Sequence, residues 1–307
     1  YQLPLTAANT TLNLRYSTTD SDVIESPFDD IDSDGNGPDI VSESEVYEVT
    51  LRHPISRTVS DRTFREFAVG LTASSQRTKS ELLDLPFPAA GADEEGVTNI
   101  FALRFFQEWT QQNAREVVAL RSQFNLGLDA FDSTINQPLD GVGPIPDSRF
   151  FSWQGQAQWV RLLGQDSQDT LLLLRGNLQL ADNSLLPAEQ FAIGGAGSVR
   201  GYRQDQLQAD NGLFGSLEVQ LPIIRHSRRD GVVHLVPFFD WGHVWNANGT
   251  DDTDPNTISS LGLGVQWRWG DRLTARLDYG IPLVNLESRD RTWQENGWLF
   301  NVQVKPF

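Results

Sequence analysis

The chain has 307 residues, and its 41 acidic side chains outnumber its 24 basic ones to give a formal net charge of −17. This balance argues against a nucleic-acid partner, because binding to phosphates needs an excess of Lys and Arg. The lack of cysteine excludes disulfides, thiolate catalysis and cysteine-ligated metals. Since no apolar run approaches the roughly 18–20 residues of a spanning helix, a helical membrane protein is excluded, whereas a membrane β-barrel is not.

Apolar and polar residues alternate with a period of two along most of the chain, which is the pattern of β-strands. In chain order this pattern predicts strands near residues 1–5, 10–18, 45–54, 63–77, 98–109, 115–129, 150–163, 169–181, 212–222, 232–246, 258–269, 272–282 and 297–307. The linkers between them are alternately short and long. The long ones lie near residues 19–44, 78–97, 130–149, 182–211, 247–257 and 283–296.

This order of linkers predicts the architecture. In an up-and-down sheet the chain reverses at every linker, so all the long linkers emerge on one side, as in outer-membrane barrels with short periplasmic turns. We therefore predict an all-β, antiparallel, up-and-down transmembrane β-barrel with 12–13 strands in this chain. A soluble β-sandwich or a propeller is the alternative, but the repeat of about 40 residues that a propeller requires is missing.

Two segments connect the sequence to a family. Residues 191–202 read Phe-Ala-Ile-Gly-Gly-Ala-Gly-Ser-Val-Arg-Gly-Tyr, and residues 238–242 read Phe-Phe-Asp-Trp-Gly. Through them the chain resembles the ShlB/FhaC/HecB haemolysin secretion/activation proteins, which are the transporters of two-partner secretion (TpsB) within the BamA/TamA/Toc-type outer-membrane superfamily. The resemblance extends over essentially the whole chain and is strongest between about residues 185 and 282.

The resemblance implies roles for individual residues. The first segment corresponds to a lumenal loop motif made of Gly195, Gly197, Val199, Arg200, Gly201 and Tyr202. The second corresponds to a strand motif that anchors this loop, made of Phe239, Asp240 and Gly242. The family pattern pairs Arg200 with Asp240, and Glu218 on the intervening strand is a candidate lumen contact.

The strand pattern around Asp240 agrees independently with this pairing. Between residues 232 and 246, Phe239 and Trp241 lie on one face of the strand, and His234 and Asp240 lie on the other. Asp240 is therefore expected to point into the lumen. A guanidinium can bind a carboxylate through two parallel hydrogen bonds, so Arg200 would suit this partner.

The resemblance also implies how the chain is organised. It makes residues 1–307 the outer-membrane β-barrel domain, the C-terminal part of a longer protein whose parent barrel has about 16 strands. The first strands and the periplasmic POTRA domains would lie outside this chain. Because the chain begins at Tyr1 and contains no Met, we interpret it as a mature form or an excised domain.

The expected function is an outer-membrane pore that translocates an unfolded exoprotein. The expected partners are that cargo, which by resemblance is β-helical, and the lipid and lipopolysaccharide of the membrane, with the barrel acting as a monomer. No cofactor, metal or catalytic residue is expected. The alternatives are an assembly insertase of the same superfamily, a passive porin and a barrel enzyme.

Three other patterns have ordinary explanations. Gly195-Ala196-Gly197 followed by Gly201 is not a nucleotide loop, because a strand and not a helix follows it. Asp30, Asp32 and Asp34 resemble the start of a calcium loop, but Val41 stands where the bidentate acid belongs, so a solvated acidic loop is favoured, with weak divalent-cation binding as the alternative. The tryptophans near strand ends predict an aromatic girdle at the membrane interface rather than a sugar-binding platform; they are Trp153, Trp159, Trp241, Trp245, Trp267, Trp269 and Trp298.

The four histidines do not point to an enzyme. They show no HExxH spacing and no assembled Ser–His–Asp set; they are His53, His226, His234 and His243.

Overall fold

The computed structural model of the chain describes residues 1–22, 40–83, 85–87, 90–137, 145–164, 170–226, 231–248, 251–286 and 296–305. They form one antiparallel sheet in which thirteen strands pair in sequence order. The strands are β1 (Gln2–Pro4), β2 (Thr11–Asp22), β3 (Ile40–Ser60), β4 (Thr63–Leu82), β5 (Val97–Gln112), β6 (Glu116–Leu128), β7 (Phe151–Leu162), β8 (Leu171–Ala181), β9 (Asn211–His226), β10 (Gly231–Trp245), β11 (Thr257–Trp269), β12 (Leu273–Pro282) and β13 (Trp298–Val304). Within the described ranges, no helix combines the length and the apolar character needed to cross a bilayer.

The order of the strands confirms the predicted all-β, up-and-down architecture. Each predicted strand corresponds to one strand of the sheet, and each pairs antiparallel with its neighbours in sequence. A further two-residue strand, Leu85–Pro86, pairs with β4 at its far end. The period-two alternation located the strands because one face of each is apolar and the other is polar.

The strands of the first hairpins are longer than predicted. β3 and β4 contain 21 and 20 residues, although about 9–11 residues suffice to cross a bilayer. Alternation marked only residues 45–54 and 63–77 of these two strands. Eleven of the 16 additional residues are polar, so the apolar alternation that marks the central parts of these strands is interrupted there.

Both ends of the predicted linker 19–44, which is rich in acidic residues, therefore belong to the sheet and not to an external loop. Asp20 lies on β2, and Glu43, Glu45 and Glu48 lie on β3. In the register with β4, Glu43 is opposite Lys79 and Glu45 is opposite Arg77, which places unlike charges side by side. The Asp30, Asp32 and Asp34 pattern lies outside the described residues.

The outer face of the sheet is apolar. Side chains such as Leu71, Leu261, Leu263 and Ile281 expose between 47% and 51% of their surface. A continuous exposed apolar surface around a sheet is typical of contact with lipid. Strand alternation places all seven tryptophans of the predicted girdle on this face.

The inner face carries many polar side chains and an apolar patch under the loop that joins β8 to β9, and it curves around this loop. This loop, residues 182–210, contains a short 3₁₀ turn at Pro187–Glu189 and a ribbon of two short strands, Phe191–Ile193 and Leu207–Ala209. Its contacts reach β5 at one side and β12 at the other. The sheet must therefore be strongly curved, since one loop touches strands that lie seven positions apart in the strand order.

Candidate functional site

The loop 182–210 is packed against the inner wall by an apolar cluster. Ile193, Val199 and Tyr202 of the loop are almost fully buried, and they pack on the inner faces of β9, β10 and β11. The wall contributes Phe214, Val244 and Ile258. Apolar burial of this kind fixes the position of the loop, so the polar contacts beside it have a defined geometry.

Arg200 lies at the centre of the buried contacts. Its Nε donates to Asp240 Oδ2 at 2.7 Å and its Nη2 donates to Asp240 Oδ1 at 3.0 Å, which is a bidentate ion pair. Its Nη1 donates to Glu218 Oε2 at 2.9 Å. The side chains of Arg200, Glu218 and Asp240 are exposed by 3%, 2% and 0%. One guanidinium from the loop thus joins carboxylates from two strands of the wall.

A second layer of charges surrounds this ion pair. Arg276 of β12 donates to both carboxylate oxygens of Glu218, at 3.0 and 2.7 Å, and to Asp278 at 2.7 Å. Ser216 donates to Asp240 at 2.6 Å. Every carboxylate of the cluster therefore has a cationic or hydroxyl partner, which offsets the cost of burying charge.

The loop backbone approaches the wall through glycines. Gly201 has φ +93°, and a Cβ built there would lie 2.9 Å from the backbone carbon of Gly280 on β12. A Cβ on Gly280 would in turn lie 2.7 Å from the Gly201 nitrogen. Gly242 faces Ile193 and Val199 of the loop, and a Cβ there would lie 2.8 Å from Ile193 Cδ1. Three positions thus leave no room for a side chain between loop and wall.

Tyr202 fastens the loop to the rim of the barrel. Its hydroxyl donates to the Ser259 carbonyl at 2.8 Å and accepts a hydrogen bond from the Val284 backbone nitrogen at 3.1 Å. Burial raises the pKa of this phenol above its usual value. The hydroxyl therefore stays protonated and remains a donor at physiological pH.

The loop has two limbs: the first precedes the tip at Gly195 and contains Glu189, and the second follows the tip and contains Arg200. A second ion pair holds the first limb. Glu189, in the 3₁₀ turn, accepts two hydrogen bonds from Arg104 of β5, at 2.9 and 2.6 Å, and its side chain is 5% exposed. Arg104 also donates to Ser74 on β4 and Asn125 on β6, at 3.2 Å each. The two limbs of the loop are thus fixed to different parts of the wall.

Asp210 closes the base of the loop. Its carboxylate accepts backbone hydrogen bonds from Leu185 at 2.8 Å and from Ala247 at 2.9 Å. Gln179 of β8 donates to the carbonyls of both Glu189 and Asp210 at 2.9 Å. These bonds satisfy polar groups that the loop buries, as a buried irregular segment requires.

Comparison with known proteins identifies the family. The sequence model of the Omp85 superfamily domain matches residues 98–302. The chain belongs to the Omp85 superfamily. The match begins in β5 and ends in β13, so it contains the whole loop 182–210 and all the strands that hold it.

Relatives of this Omp85 chain include two curated proteins. The outer membrane transporter CdiB of Dickeya dadantii is 27% identical over 172 residues, which are 51% of this chain and 29% of that protein. The outer membrane protein assembly factor BamA of Nitratidesulfovibrio vulgaris is 34% identical over 115 residues, which are 33% of this chain and 13% of that protein. The described matches thus cover less than a third of either relative.

Solved structures share the fold. CdiB from Escherichia coli aligns with a TM-score of 0.72 and 19% identity over 95% of this chain and 49% of its own. CdiB from Acinetobacter baumannii aligns with a TM-score of 0.68 and 17% identity over 97% of this chain and 47% of its own. BamA from Haemophilus ducreyi lacking POTRA domains 1–3 aligns with a TM-score of 0.59 and 14% identity, over 98% of this chain and 60% of its own. The Omp85 chain spans about half the length of the CdiB structures it matches.

These relatives confirm the expected class of protein. The Omp85 chain is an outer-membrane protein with the β-barrel fold, in agreement with its lipid-facing apolar surface. Its curated relatives are named as an outer membrane transporter and an outer membrane protein assembly factor, so those relatives are transport and assembly proteins and not enzymes. No group of three or more metal-binding side chains occurs among the described residues.

The structure brings most of the predicted site residues of the Omp85 chain together. Arg200, Asp240 and Glu218 form the ion-pair cluster, and Val199, Gly201, Tyr202 and Gly242 lie around it. Gly195 has φ +80° and turns the chain at the tip of the loop. Gly197 differs, because nothing lies within 4 Å of a Cβ built there and its φ is not positive.

Phe239 was assigned to the anchoring motif, but it points away from the loop. It is 39% exposed on the outer face, whereas its neighbour Phe238 is 4% exposed and places its ring 3.4 Å from the Arg200 guanidinium. Alternation along β10 identifies the inward phenylalanine, because Phe238 and Asp240 share a face. The Glu189–Arg104 pair was missed, since no sequence pattern links positions 85 residues apart.

Proposed function

We propose that this Omp85 chain forms the barrel of an outer-membrane transporter of two-partner secretion, of the haemolysin secretion/activation type, through which an unfolded exoprotein passes. The observation that carries this proposal is the loop 182–210, which is held inside the barrel by the buried cluster of Arg200, Glu218 and Asp240. The similarity to the CdiB transporters supports this activity over that of a passive porin.

In this proposal the loop and the wall have separate tasks. The Arg200 cluster keeps the loop against β9 to β12, so the remaining inner wall stays accessible to a passing chain. That wall is polar, which gives an unfolded polypeptide a wetted path with little apolar surface to adhere to. Nucleotides are not available in this compartment, so folding of the cargo outside the cell supplies the driving force.

The partners follow from the same proposal. The cargo is a secreted, β-helical exoprotein that enters unfolded, and the outer face contacts lipid and lipopolysaccharide. The barrel acts as a monomer and is the C-terminal part of a longer protein that also has periplasmic POTRA domains.

A second candidate function is assembly of other outer-membrane proteins. The 34% identity to BamA over 115 residues favours it. The two functions differ in what fails when the barrel is impaired: loss of one exoprotein from the medium in the first case, and loss of many outer-membrane proteins in the second.

The test is Arg200→Ala. Removing one partner of a buried ion pair costs about 3–5 kcal/mol, and here it leaves Asp240 without its cation, so the loop should detach. Because the strand hydrogen bonds are untouched, the barrel should still assemble. We expect secretion of the exoprotein that this barrel exports to fall on the order of tenfold or more, measured in the culture medium and normalised to folded barrel in the membrane.

The matched control is Arg161→Ala. Arg161 is 53% exposed and lies 4.0 Å from Glu116, a surface pair whose loss is expected to be nearly neutral. Unchanged export in Arg200→Ala at a normal level of folded barrel would contradict the proposed role of the loop. Exchange of the two charges is a poorer test, because an Arg200→Asp side chain would face Glu218 as well as the new arginine at position 240.

A further inference from the structure

A polar cavity of about 340 Å³ lies on the inner wall beside the tip of the loop 182–210. Strands β5 to β9 form its wall, and Gly197 of the loop tip also lines it. A Cβ built on Gly197 would touch nothing within 4 Å. The loop therefore borders this space without filling it.

The amide side chains of this wall fall into two groups. The first group is hydrogen-bonded: Gln154 donates to Gln179 at 2.7 Å, and Gln123 donates to Asn125 at 2.7 Å and to Gln154 at 3.3 Å. This group ties the wall to the base of the loop through Gln179. These amides are occupied, so they have little capacity left for a ligand.

The second group is Gln156, Gln158 and Asn177, which line the cavity. None of the three side chains has a hydrogen-bond partner among the described residues. Gln156 and Gln158 are exposed to the lumen. Each primary amide offers two donor hydrogens and an acceptor oxygen, so the cavity presents unused hydrogen-bonding capacity of both kinds.

These side chains are spaced like the backbone of an extended peptide. In the register of β7 with β8, Gln156 is opposite Asn177 and Gln158 is opposite Arg175. Successive inward residues of a strand are about 6.8 Å apart, which is also the repeat of an extended polypeptide running alongside. Two rows of donors and acceptors therefore match the alternating N–H and C=O groups of such a chain.

Arg175 adds a charge preference. Its Nη2 lies 3.5 Å from Ser216 Oγ, and no carboxylate forms an ion pair with it among the described residues. The other cation of the cavity, Arg121, already binds Glu108. The cavity therefore disfavours a stretch of peptide rich in Lys or Arg and accepts one that is neutral or acidic.

We propose that this cavity, lined by Gln156, Gln158, Asn177 and Arg175, is a binding site for a neutral or acidic stretch of extended polypeptide in transit. The site recognises the peptide backbone through its side-chain amides. Binding therefore does not depend on the side chains of the peptide, except that basic residues weaken it. The proposal rests on the proposed function, since it names where the transported chain is held. A few exposed hydrogen bonds give weak and reversible binding, which suits passage rather than capture.

The experiment measures how long a peptide stays in the lumen. The protein is reconstituted in a planar bilayer, and an uncharged 20-residue peptide of Gly, Ser and Asn is added on the side of the short turns while ion-current blockades are recorded. The variant replaces all three free amides with leucine: Gln156→Leu, Gln158→Leu and Asn177→Leu. Each lost hydrogen bond is expected to shorten the blockade about two- to threefold, and the triple variant about tenfold.

The matched control is Gln266→Leu, an inward glutamine on β11, outside the cavity. Its blockades are expected to match those of the wild type. A peptide of the same length with Lys at every fourth position should give shorter blockades in the wild type, and Arg175→Gln should reduce that difference. If the triple variant does not assemble, Gln158→Leu alone is recorded, with a two- to threefold shortening expected.

Blockades of equal length in the wild type and the leucine variants would overturn the site and leave the transport proposal standing. Equal shortening by Gln266→Leu would also overturn it, because the effect would then be a general property of the lumen. A wild type that shows no blockade at all would overturn the site together with polypeptide transport.

Discussion

Gly201 and Gly280 allow a close backbone approach between the loop and the wall of this Omp85 barrel. The two backbones meet directly, and Gly201 adopts φ +93°, a conformation that costs other residues about 1–3 kcal/mol. We expect Gly201→Ala to push the Arg200 limb off β12. Trypsin added to intact cells should then cut the loop, which carries Arg200 and Arg203, and digestion followed by immunoblotting measures the cleavage rate.

Gly197→Ala is the control within the same loop. Position 197 has no positive φ and has free space around a Cβ, so its cleavage rate should equal that of the wild type. Resistance of Gly201→Ala to trypsin, at a normal level of folded protein, would show that the glycine contact does not hold the loop.

Individual residues were predictable where a strand pattern fixed their direction. The alternation along β10 placed Asp240 on the inner face, and a shared motif supplied Arg200 as its partner. The assignment of Phe239 to the anchoring motif was wrong, because it followed the position of the residue in the family motif. Alternation along β10 instead places Phe238 on the inner face, where its ring contacts Arg200. The contact of Arg276 with Glu218 depends on how far four strands curve, and a linear pattern carries no information about curvature.

At the scale of elements, the loop 182–210 is fixed at two separated points of the sheet. The Glu189–Arg104 pair holds its first limb to β5, and the Arg200 cluster holds its second limb to β9 and β10. Glu189→Gln removes the charge and keeps the size, so it leaves Arg104 buried without its anion. We expect a loss of about 3–5 kcal/mol in unfolding free energy and a noisier open-channel current, because only the first limb is released.

The comparison for this prediction is Glu116→Gln. Glu116 lies 4.0 Å from the exposed Arg161, so its loss should change stability by less than about 0.5 kcal/mol. Urea unfolding followed by tryptophan fluorescence measures both variants, and bilayer recordings measure the current. Equal stability and equal noise in the two variants would mean that the first limb is held by its backbone bonds alone.

Elements were predictable in number and order but not in length. Thirteen strands could be predicted from alternation, because one face of each strand meets lipid and the other meets a wet interior. The alternation is interrupted at the ends of β3 and β4. Their full length could therefore be recognised only from the pairing of the two strands in the structure, for example of Glu43 with Lys79. The Glu189–Arg104 pair could likewise not be predicted from the sequence, because only the folded sheet brings β5 near the loop that follows β8.

At the scale of the whole molecule, the modest 39% of hydrophobic residues is enough for a membrane protein of this kind. Only one face of each strand meets lipid, and the other lines the lumen. Much of the acid excess lies on β2 and β3 and among the residues between them. Inside the barrel, opposite charges instead lie in direct contact, with Arg200 and Arg276 facing Glu218, Asp240 and Asp278.

This division of faces predicts opposite outcomes for the same substitution on one strand. Leu263 lies in the middle of β11 on the outer face and is 48% exposed, whereas Gln266 lies on the inner face of the same strand. Leu263→Arg should destabilise the barrel by about 2–4 kcal/mol, the cost of placing a cation at the bilayer midplane. Gln266→Arg should cost much less, since a lumenal guanidinium remains hydrated. Unfolding by urea in lipid vesicles measures both, and similar losses for the two variants would contradict the assignment of the faces.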